Sequence, residues 1–403
     1  MASDCDKIRI AFFEPYFSTF YGAQKSMATL VTNLPVERYE PVVVVPGEGA
    51  VAERFRSADV RVVVLPARDC VNRFGGRIRA YKGWEIAQAS IELLRYSWRV
   101  YKWLQRERVD LVYVNNVRGV AYVWAAAKLA RVPLLVYVRD DQRVAALHWL
   151  VSLAANRVLT VSDGARKVFT EQELRRLNGR IQTLYTGFEF RDYPVGSAGW
   201  TAVRAQVRRR YGVTTDATVV AVIGALVPRK GQDVFIEAAR QVADIREDTA
   251  FWIVGHEPPG YECSTYVQHL SKRVEELGLA DRLRFLGYQR DIWDVYAAVD
   301  VVVLPSKGEG LPRVLIEALA SGCAVVASDV SGVREIISDE SVGSIVSQLN
   351  PRRLAEAILR EIESQARRRH SNIAEQSARV KARFGIQSYV DGFRQCVESI
   401  VGR

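Results

Sequence analysis

Short apolar segments alternate with helical patterns along the whole chain, and this alternation restricts the fold more than any other feature. The segments before residue 190 are Ile8–Phe13, Pro41–Val45, Val60–Leu65, Asp110–Val114, Pro133–Val138, Arg157–Val161 and Ile181–Leu184. A second series comprises Thr218–Gly224, Ala250–Gly255, Leu283–Gly287, Val299–Leu304 and Ala324–Ala327. Strands that alternate with helices through short turns form parallel, doubly wound sheets. The sequence therefore predicts an α/β protein with two such sheets.

The gap between the two series predicts a domain boundary. A chain of 403 residues is too long for one ordinary core and suits two domains of roughly 190 to 200 residues. We expect an N-terminal domain over residues 1–190 and a C-terminal domain over residues 191–385. The polar segment Arg191–Tyr211 is predicted to be the linker, and residues 352–403 are predicted to be helical.

Composition indicates an ordinary globular protein, with 49% hydrophobic and 25% charged residues. No apolar run reaches the roughly 18 to 20 residues that a membrane span needs. The acidic N-terminus passes directly into a strand, so we expect no secretory signal. The five cysteines are scattered and form no C-x-x-C pair, which favours reduced thiols and a cytoplasmic protein.

Two nucleotide-binding classes are disfavoured by missing motifs. No G-x-G-x-x-G follows the first predicted strand, and the chain has no G-x4-G-K-[ST]. These absences argue against a dinucleotide oxidoreductase and a P-loop nucleotide hydrolase.

The segment from Gly308 to Gly322 carries the strongest chemical signal. Glu309 lies in a Gly-Glu-Gly-Leu-Pro loop, and Glu317 lies eight positions later on the helix that follows. Glycines flanking Glu309 let the backbone approach a ligand, and the N-terminal end of a helix attracts phosphate. Carboxylates beside phosphate donors suit a nucleotide diphosphate that carries a polyol. The segment therefore predicts a nucleotide-sugar site.

This spacing resembles the E-x7-E signature of retaining glycosyltransferase family four. The resemblance implies the GT-B architecture, in which two Rossmann-like domains flank a cleft and the last helix, residues 386–403 here, crosses back to the N-terminal domain. It also implies transfer from a nucleotide-diphosphate sugar with retention, without a metal or other cofactor. Glu309 would bind donor-sugar hydroxyls and Glu317 the ribose. Phosphate contacts are expected at the start of the helix, from Gly310, Leu311, Arg313 and Val314.

A basic turn opens the second domain. The predicted strand ends at Gly224, and the following loop brings Arg229 and Lys230 to the carboxyl edge of the sheet, where α/β proteins bind ligands. Charge-assisted hydrogen bonds from these cations would hold a diphosphate. The segment resembles the G-R-x4-K-G element of the same family, with Lys230 at the lysine position and Ala225 in place of the arginine.

Three further elements are placed by the resemblance. The turn after Leu283–Gly287 lies against the nucleobase in the family, which points to Tyr288 and Arg290. Gly22 occupies the loop that approaches the donor diphosphate, although Tyr21 replaces the first glycine of that loop. Arg139 stands where relatives carry a histidine that faces the sugar, which makes it a candidate substrate contact. Asp140 follows it and is a candidate catalytic residue.

The net charge is concentrated in the N-terminal half. Residues 1–190 hold 28 Lys and Arg against 19 Asp and Glu, which leaves +9 of the total of +10. The segment Ile91–Arg106 puts Arg95, Arg99, Lys102 and Arg106 in one stripe, with Tyr96, Trp98 and Trp103 along its edges. A cationic stripe with interfacial aromatic rings suits an anionic membrane surface.

The basic segment Asn72–Lys82 precedes that stripe. The simpler interpretation is an amphipathic helix docked on the sheet with a solvated basic face. Otherwise the region contacts anionic lipid at the inner membrane face, or a phosphate-bearing, lipid-linked acceptor. No nucleic-acid partner is expected.

Two other functions stay open on the sequence. A nucleotide-sugar 2-epimerase shares the architecture, although the Glu-Gly-Leu-Pro setting of Glu309 favours transfer. A catalytically silent relative would bind a nucleotide sugar or a partner enzyme, and the departures at Tyr21, Ala225 and Arg139 are compatible with that alternative.

Overall fold

The computed structural model describes residues 7–68, 83–139, 141–191, 195–257, 264–367 and 370–402. The chain divides into two compact units. The first unit comprises Met1–Glu189 together with Ile386–Arg403, and the second comprises Phe190–Gly385. Each unit contains one parallel sheet covered by helices, as the alternation predicts.

The first unit has a seven-stranded sheet in the order β3-β2-β1-β4-β5-β6-β7, with every described pairing parallel. Its strands are β1 Ile8–Phe13, β2 Tyr39–Val45, β3 Arg61–Val64, β4 Leu111–Val114, β5 Leu134–Val138, β6 Arg157–Thr160 and β7 Ile181–Thr183. Its helices are α1 Gly22–Thr32, α2 Ala50–Arg56, α3 Gly83–Arg106, α4 Val117–Ala130, α5 Ala145–Ala154, α6 Glu171–Arg176 and the last helix of the chain.

The second unit has a six-stranded sheet in the order β10-β9-β8-β11-β12-β13. Its strands are β8 Thr218–Ile223, β9 Thr249–Val254, β10 Leu283–Gly287, β11 Val301–Leu304, β12 Ala324–Ser328 and β13 Ser344–Val346. Its helices are α7 Ala198–Arg210, α8 Gln232–Ala243, α9 Ser264–Glu276, α10 Ile292–Ala298, α11 Arg313–Ala320, α12 Val333–Ile336, α13 Pro351–Arg367 and α14 His370–Phe384.

Burial on both faces explains why the strands are short runs of apolar residues. β4, β5, β11 and β12 are buried at every position, as expected for parallel strands covered by helices. Local signals fix the helix ends. The Asn116 side chain accepts hydrogen bonds from the backbone N–H groups of Arg118 and Gly119 at the start of α4, and Arg131 closes that helix with a left-handed φ of 56°.

The last helix, α15 Ile386–Val401, belongs to the first unit. Its buried face includes Tyr389 and Phe393. The Phe393 ring packs against the rings of Phe12 and Tyr113 on the sheet, at centroid distances of 6.0 and 5.7 Å. These contacts explain why the end of the chain joins the first unit rather than the unit that precedes it.

The predicted linker was wrong over residues 198–210, which form helix α7. Arg204 and Arg208 reach from this helix to the carboxylate of Asp300, and Arg208 also donates to the carbonyl oxygen of Ala298 at 3.0 Å. The buried residues of α7 are Val207 and Arg208, and a helix with so few buried aliphatic residues carries little hydrophobic signal. Strand β13 was likewise not predicted, because it has three residues and only one of them is buried.

Candidate active site

The centre of the candidate site is the loop after β11. The Glu309 side chain is 10% exposed, and its Oε1 accepts hydrogen bonds from Lys230 Nζ at 2.6 Å and from Ser306 Oγ at 2.7 Å. Arg229 Nη1 lies 4.0 Å from Glu309 Oε2 and donates to the carbonyl oxygen of Gly308. Three residues predicted from the sequence, Arg229, Lys230 and Glu309, therefore meet at one point.

Sheet topology explains why they meet. β8 and β11 are neighbouring parallel strands, so the turn after β8 and the loop after β11 leave the same edge of the sheet. The Lys307 backbone N–H donates to the Arg229 carbonyl oxygen at 2.8 Å. Gly231 has a left-handed φ of 69°, and a Cβ there would lie 2.0 Å from the Pro305 carbonyl oxygen. Glycine is therefore required for the basic turn to pack against the acidic loop.

Helix α11 holds Glu317 beside this loop. Pro312 is the N-cap, and Arg313 and Val314, both half-buried, form the first turn. Glu317 Oε2 accepts a hydrogen bond from the hydroxyl of Tyr296 at 2.8 Å, and Oε1 lies 3.4 Å from Arg313 Nη2. Burial raises the pKa of Tyr296 well above its ordinary value, so its hydroxyl remains a donor to the carboxylate.

The remaining loop residues are closely packed. Leu311 is buried and Gly310 is half-buried. Gly332, in the loop after β12, has a φ of 78°, and a Cβ there would lie 2.9 Å from the Gly310 carbonyl oxygen. Gly224 directly follows β8 and lies close to the side chain of Lys230, since a Cβ at Gly224 would be 3.8 Å from Lys230 Cε. Of the predicted positions, Gly224 therefore lies beside Lys230, while Gly310 and Leu311 follow Glu309 in the packed loop.

Tyr288 and Arg290 lie apart from that pair. Both are exposed after β10, the edge strand of the sheet, two strands from β8. The Tyr288 ring is 65% exposed and meets the His256 ring edge to face at 5.1 Å. An exposed ring beside the carboxyl edge of the sheet is available for stacking, and the nucleobase role of Tyr288 and Arg290 stays a prediction.

In the first unit, Arg139 is enclosed by neutral acceptors. Its Nε donates to Asn115 Oδ1 at 3.0 Å, and its Nη atoms donate to four hydroxyl groups. Those hydroxyls belong to Ser26, Thr186, Tyr113 and Tyr389 at distances of 2.9, 3.4, 3.3 and 3.1 Å. An arginine has five N–H donors, and all five are used within the protein. This arrangement leaves Arg139 without a spare N–H donor, which argues against the predicted contact between Arg139 and substrate.

Glu14 lies next to Arg139 at the end of β1. Its carboxylate accepts from Asn115 Nδ2 at 2.6 Å and from the Tyr16 backbone N–H at 2.9 Å. Burial raises the pKa of Glu14 to about 6, although these hydrogen bonds oppose the shift. Asn115 Nδ2 also donates to the Ala23 carbonyl oxygen at 3.2 Å, which ties the exposed Gly22 at the start of α1 to the same sheet edge. Asp140 lies outside the described residues.

Sequence reasoning missed, among others, Glu14, Asn115, Tyr296 and Ser306 of these clusters. A usable signal existed for two of them, since Glu14 and Asn115 directly follow β1 and β4, and ligands of α/β proteins bind at the carboxyl ends of strands. No such signal marked Tyr296, because its position in a short helix follows the same apolar pattern as its neighbours. Ser306 is too common a loop residue to be noticed.

The described residues contain no helix that is long and apolar enough to cross a membrane. They also contain no group of three His, Cys, Asp or Glu side chains that could hold a metal ion.

Two Rossmann-like units with parallel sheets define the class of this protein as the GT-B fold. Residues 203–379 match the family model "Glycosyl transferases group 1", and residues 21–181 match the "Glycosyl transferase 4-like domain". The chain belongs to the glycosyltransferase family that these two models describe.

The chain is similar to D-inositol 3-phosphate glycosyltransferase of Geodermatophilus obscurus, with 31% identity over 282 residues, which are 67% of this chain and 59% of that protein. It thus spans about three fifths of the length of this curated relative. Among solved structures, a complex of Anabaena HepE with UDP and glucose has a TM-score of 0.75 at 21% identity and covers 97% of this chain and 100% of its own. A glycosyltransferase from Rickettsia africae has a TM-score of 0.80 at 15% identity, with coverages of 98% and 99%.

Proposed function

We propose that the protein transfers a sugar from a nucleoside-diphosphate sugar to an acceptor hydroxyl, with retention of configuration and without a metal. The observation that carries this proposal is the meeting of Arg229, Lys230 and Glu309 at one sheet edge, with Ser306 and the start of α11 beside them. Cations, glycine-flanked backbone and a carboxylate in one place match the parts of such a donor: a diphosphate and a polyol.

In the proposed reaction, the bond between the anomeric carbon and the diphosphate oxygen breaks, and a bond to the acceptor oxygen forms. The acceptor hydroxyl gives its proton to the leaving diphosphate oxygen. Negative charge then develops on the leaving diphosphate. Lys230, Arg229 and the N–H groups at the start of α11 would stabilise that charge, which is the largest single contribution in many enzymes. Because fixed cations supply this stabilisation, we propose no cofactor besides the donor itself.

The two glutamates would position the donor. Glu309 would accept hydrogen bonds from hydroxyls of the transferred sugar, and Glu317 from the ribose. Tyr296 would keep Glu317 in place through its 2.8 Å hydrogen bond. The nucleobase would lie near Tyr288 and Arg290. The solved structures of HepE, whose complexes contain UDP, UDP with glucose, and UDP-glucose, support a nucleotide-sugar donor.

We propose an anionic or lipid-linked acceptor and a cytoplasmic protein that contacts the membrane peripherally. The positive charge of residues 1–190 supports an anionic acceptor. A relative named for transfer to D-inositol 3-phosphate is consistent with a phosphate-bearing acceptor in this family.

Calorimetry and hydrolysis assays with a panel of nucleotide sugars test the proposal. Transfer predicts that one donor binds and is slowly hydrolysed to the nucleoside diphosphate and a sugar of retained configuration. A 2-epimerase would instead return the epimeric sugar, and a silent relative would bind a nucleotide sugar without turnover. Either of those results, or no binding by any donor in the panel, would contradict the proposal.

A further inference from the structure

Exposed apolar side chains are concentrated on three neighbouring helices of the first unit. Among the described residues, 14 large hydrophobic side chains are exposed, and eight of them lie on α3, α4, α5 or the N-cap of α5. All three exposed tryptophans, Trp84, Trp98 and Trp149, are in this group. We call the outer surface of α3, α4 and α5 the three-helix face. Clustered exposed apolar side chains of this kind mark interaction surfaces.

Helix α3 supplies an apolar strip beside a cationic strip. Trp84, Ile91, Leu94 and Trp98 are all more than half exposed and recur at spacings of seven, three and four, so they share one side of the helix. Arg95, Arg99, Lys102 and Arg106 are exposed immediately beside them. Of the aromatic residues predicted along this stripe, Trp98 is outside, whereas Tyr96 and Trp103 are buried against the sheet.

The charges of this strip are only partly neutralised. Arg95 lies 2.7 Å from Glu92, and Arg106 lies 3.0 Å from Glu107. In contrast, Lys102 Nζ lies 5.6 Å from the centroid of the Trp98 ring, and Arg99 lies 5.6 Å from that of Tyr96. Cations beside aromatic rings at the border of an apolar strip suit the headgroup region of a bilayer.

A groove between α4 and α5 continues this face. It has a volume of about 540 Å³, and its apolar lining includes Trp124, Ala127, Trp149, Leu150 and Leu153. Trp149 and Leu153 are each 50% exposed. A groove of this size and chemistry could hold a segment of hydrocarbon chain.

Two cations complete the groove. Lys128 and Arg131 also line it and are exposed. Among the described residues, neither side chain forms an ion pair or a hydrogen bond. Because the apolar lining carries uncompensated positive charge at its border, the groove favours an amphiphile with an anionic head over a neutral one.

We propose that the three-helix face docks on an anionic lipid bilayer, with Trp98 and Trp149 at the headgroup boundary. One acyl chain of a bound anionic lipid occupies the groove between α4 and α5, and the phosphate of that lipid contacts Lys128 and Arg131. The proposal specifies the membrane contact suggested above, and it does not require glycosyl transfer, since it rests on surface chemistry alone. The basic segment Asn72–Lys82 lies outside the described residues and is not part of this site.

Co-sedimentation of the full chain with phosphatidylcholine vesicles, with and without phosphatidylglycerol, tests this site. We expect binding that needs the anionic lipid and weakens as salt screens the charges. The double variant Lys128→Glu and Arg131→Glu should bind at least tenfold more weakly, since each basic residue near the surface contributes about fivefold. The affinity of the double variant Trp149→Glu and Leu153→Glu for these vesicles should fall by a similar factor. The matched controls are Ile245→Glu and Arg352→Glu, at exposed positions of the second unit. Their affinity for the vesicles should stay within about twofold of that of the wild type.

Several outcomes would overturn the proposal. One is a wild-type protein that does not bind vesicles containing phosphatidylglycerol. Another is loss of binding in the Lys128 and Arg131 variant while the Trp149 and Leu153 variant still binds, since the groove would then hold no acyl chain. Displacement from vesicles by inorganic phosphate would indicate a free-phosphate site. Self-association in sedimentation velocity that the Trp149 and Leu153 changes abolish would make the face an interface between copies. Donor hydrolysis, assayed in solution on the same variants, should be unchanged, which separates this test from the test of the proposed function.

Discussion

Lys230 Nζ lies 2.6 Å from Glu309 Oε1, and this ion pair joins the ends of two neighbouring strands of the second sheet. Both side chains are mostly buried, with exposures of 20% and 10%. Ser306 donates a second hydrogen bond to the same oxygen. The carboxylate is therefore held in one orientation, and the ammonium group is fixed at the carboxyl edge of the sheet.

Replacing Lys230 with methionine should reduce turnover by roughly 30- to 1000-fold, because loss of one preorganised donor to a leaving group costs about 2 to 4 kcal/mol. The measurement is kcat with the donor identified by the nucleotide-sugar panel. Lys272→Met, at a lysine of the same unit whose side chain is 76% exposed, is the matched control and should have wild-type turnover. Near wild-type activity of the Lys230 variant would show that the site is misassigned.

Glu309→Ala should reduce turnover at least as much as the change at Lys230, because the transferred sugar would lose its positioning hydrogen bonds. It also leaves Lys230 without its carboxylate partner. Circular dichroism should show an intact fold. Activity that persists in Glu309→Ala but not in Lys230→Met would exclude a role for Glu309 in positioning the sugar.

Tyr296→Phe should weaken donor binding by about tenfold, because one oxygen of Glu317 loses its 2.8 Å hydrogen bond. A double-mutant cycle with Glu317→Gln identifies the mechanism. If Tyr296 acts through Glu317, adding Tyr296→Phe to Glu317→Gln should cause little further loss of affinity in calorimetry. Fully additive losses would instead mean that the two residues act independently.

Tyr389→Phe should lower the free energy of unfolding by roughly 1 to 3 kcal/mol, because one Arg139 donor is left without its acceptor in a buried cluster. Urea unfolding measures this change. Tyr211→Phe is the control, because it removes a hydroxyl that bonds to Gln289 at 2.9 Å in a half-buried position. It should lower the free energy of unfolding by less than Tyr389→Phe does. Equal stability of Tyr389→Phe and the wild type would show that the hydrogen bonds of Arg139 do not hold the last helix.

Glu14 should make the first unit less stable as the pH rises. Its pKa is about 6 in the folded protein against an ordinary value of 4.5, so the folded state binds the proton more tightly. That contribution is complete below pH 4.5 and is lost as the pH rises through 6, by about 2 kcal/mol. Relative to the wild type, Glu14→Gln should therefore gain this amount in urea unfolding between pH 4.5 and 7. A pH-independent difference would contradict the raised pKa.

Much of this protein was determined by local sequence. All twelve predicted strands are present in the two sheets with small differences at their ends, because continuous apolar runs between turns have few other stable arrangements. Arg229, Lys230 and Glu309 could be placed together from sequence for the same reason. Each follows a predicted parallel strand, and the carboxyl ends of such strands share one edge.

Only the tertiary structure decided the partners of the buried polar groups. Arg139 is 250 positions from Tyr389, and Tyr296 is 21 positions from Glu317. No periodicity relates such residues, since a hydrogen bond depends on packing that brings distant side chains within about 3 Å. Helix α7 was missed for a related reason, because Asp300 and nearby carbonyl oxygens hold its arginines. Apolar burial follows from patterns along the chain, whereas the pairing of buried charges is fixed only once the chain has folded.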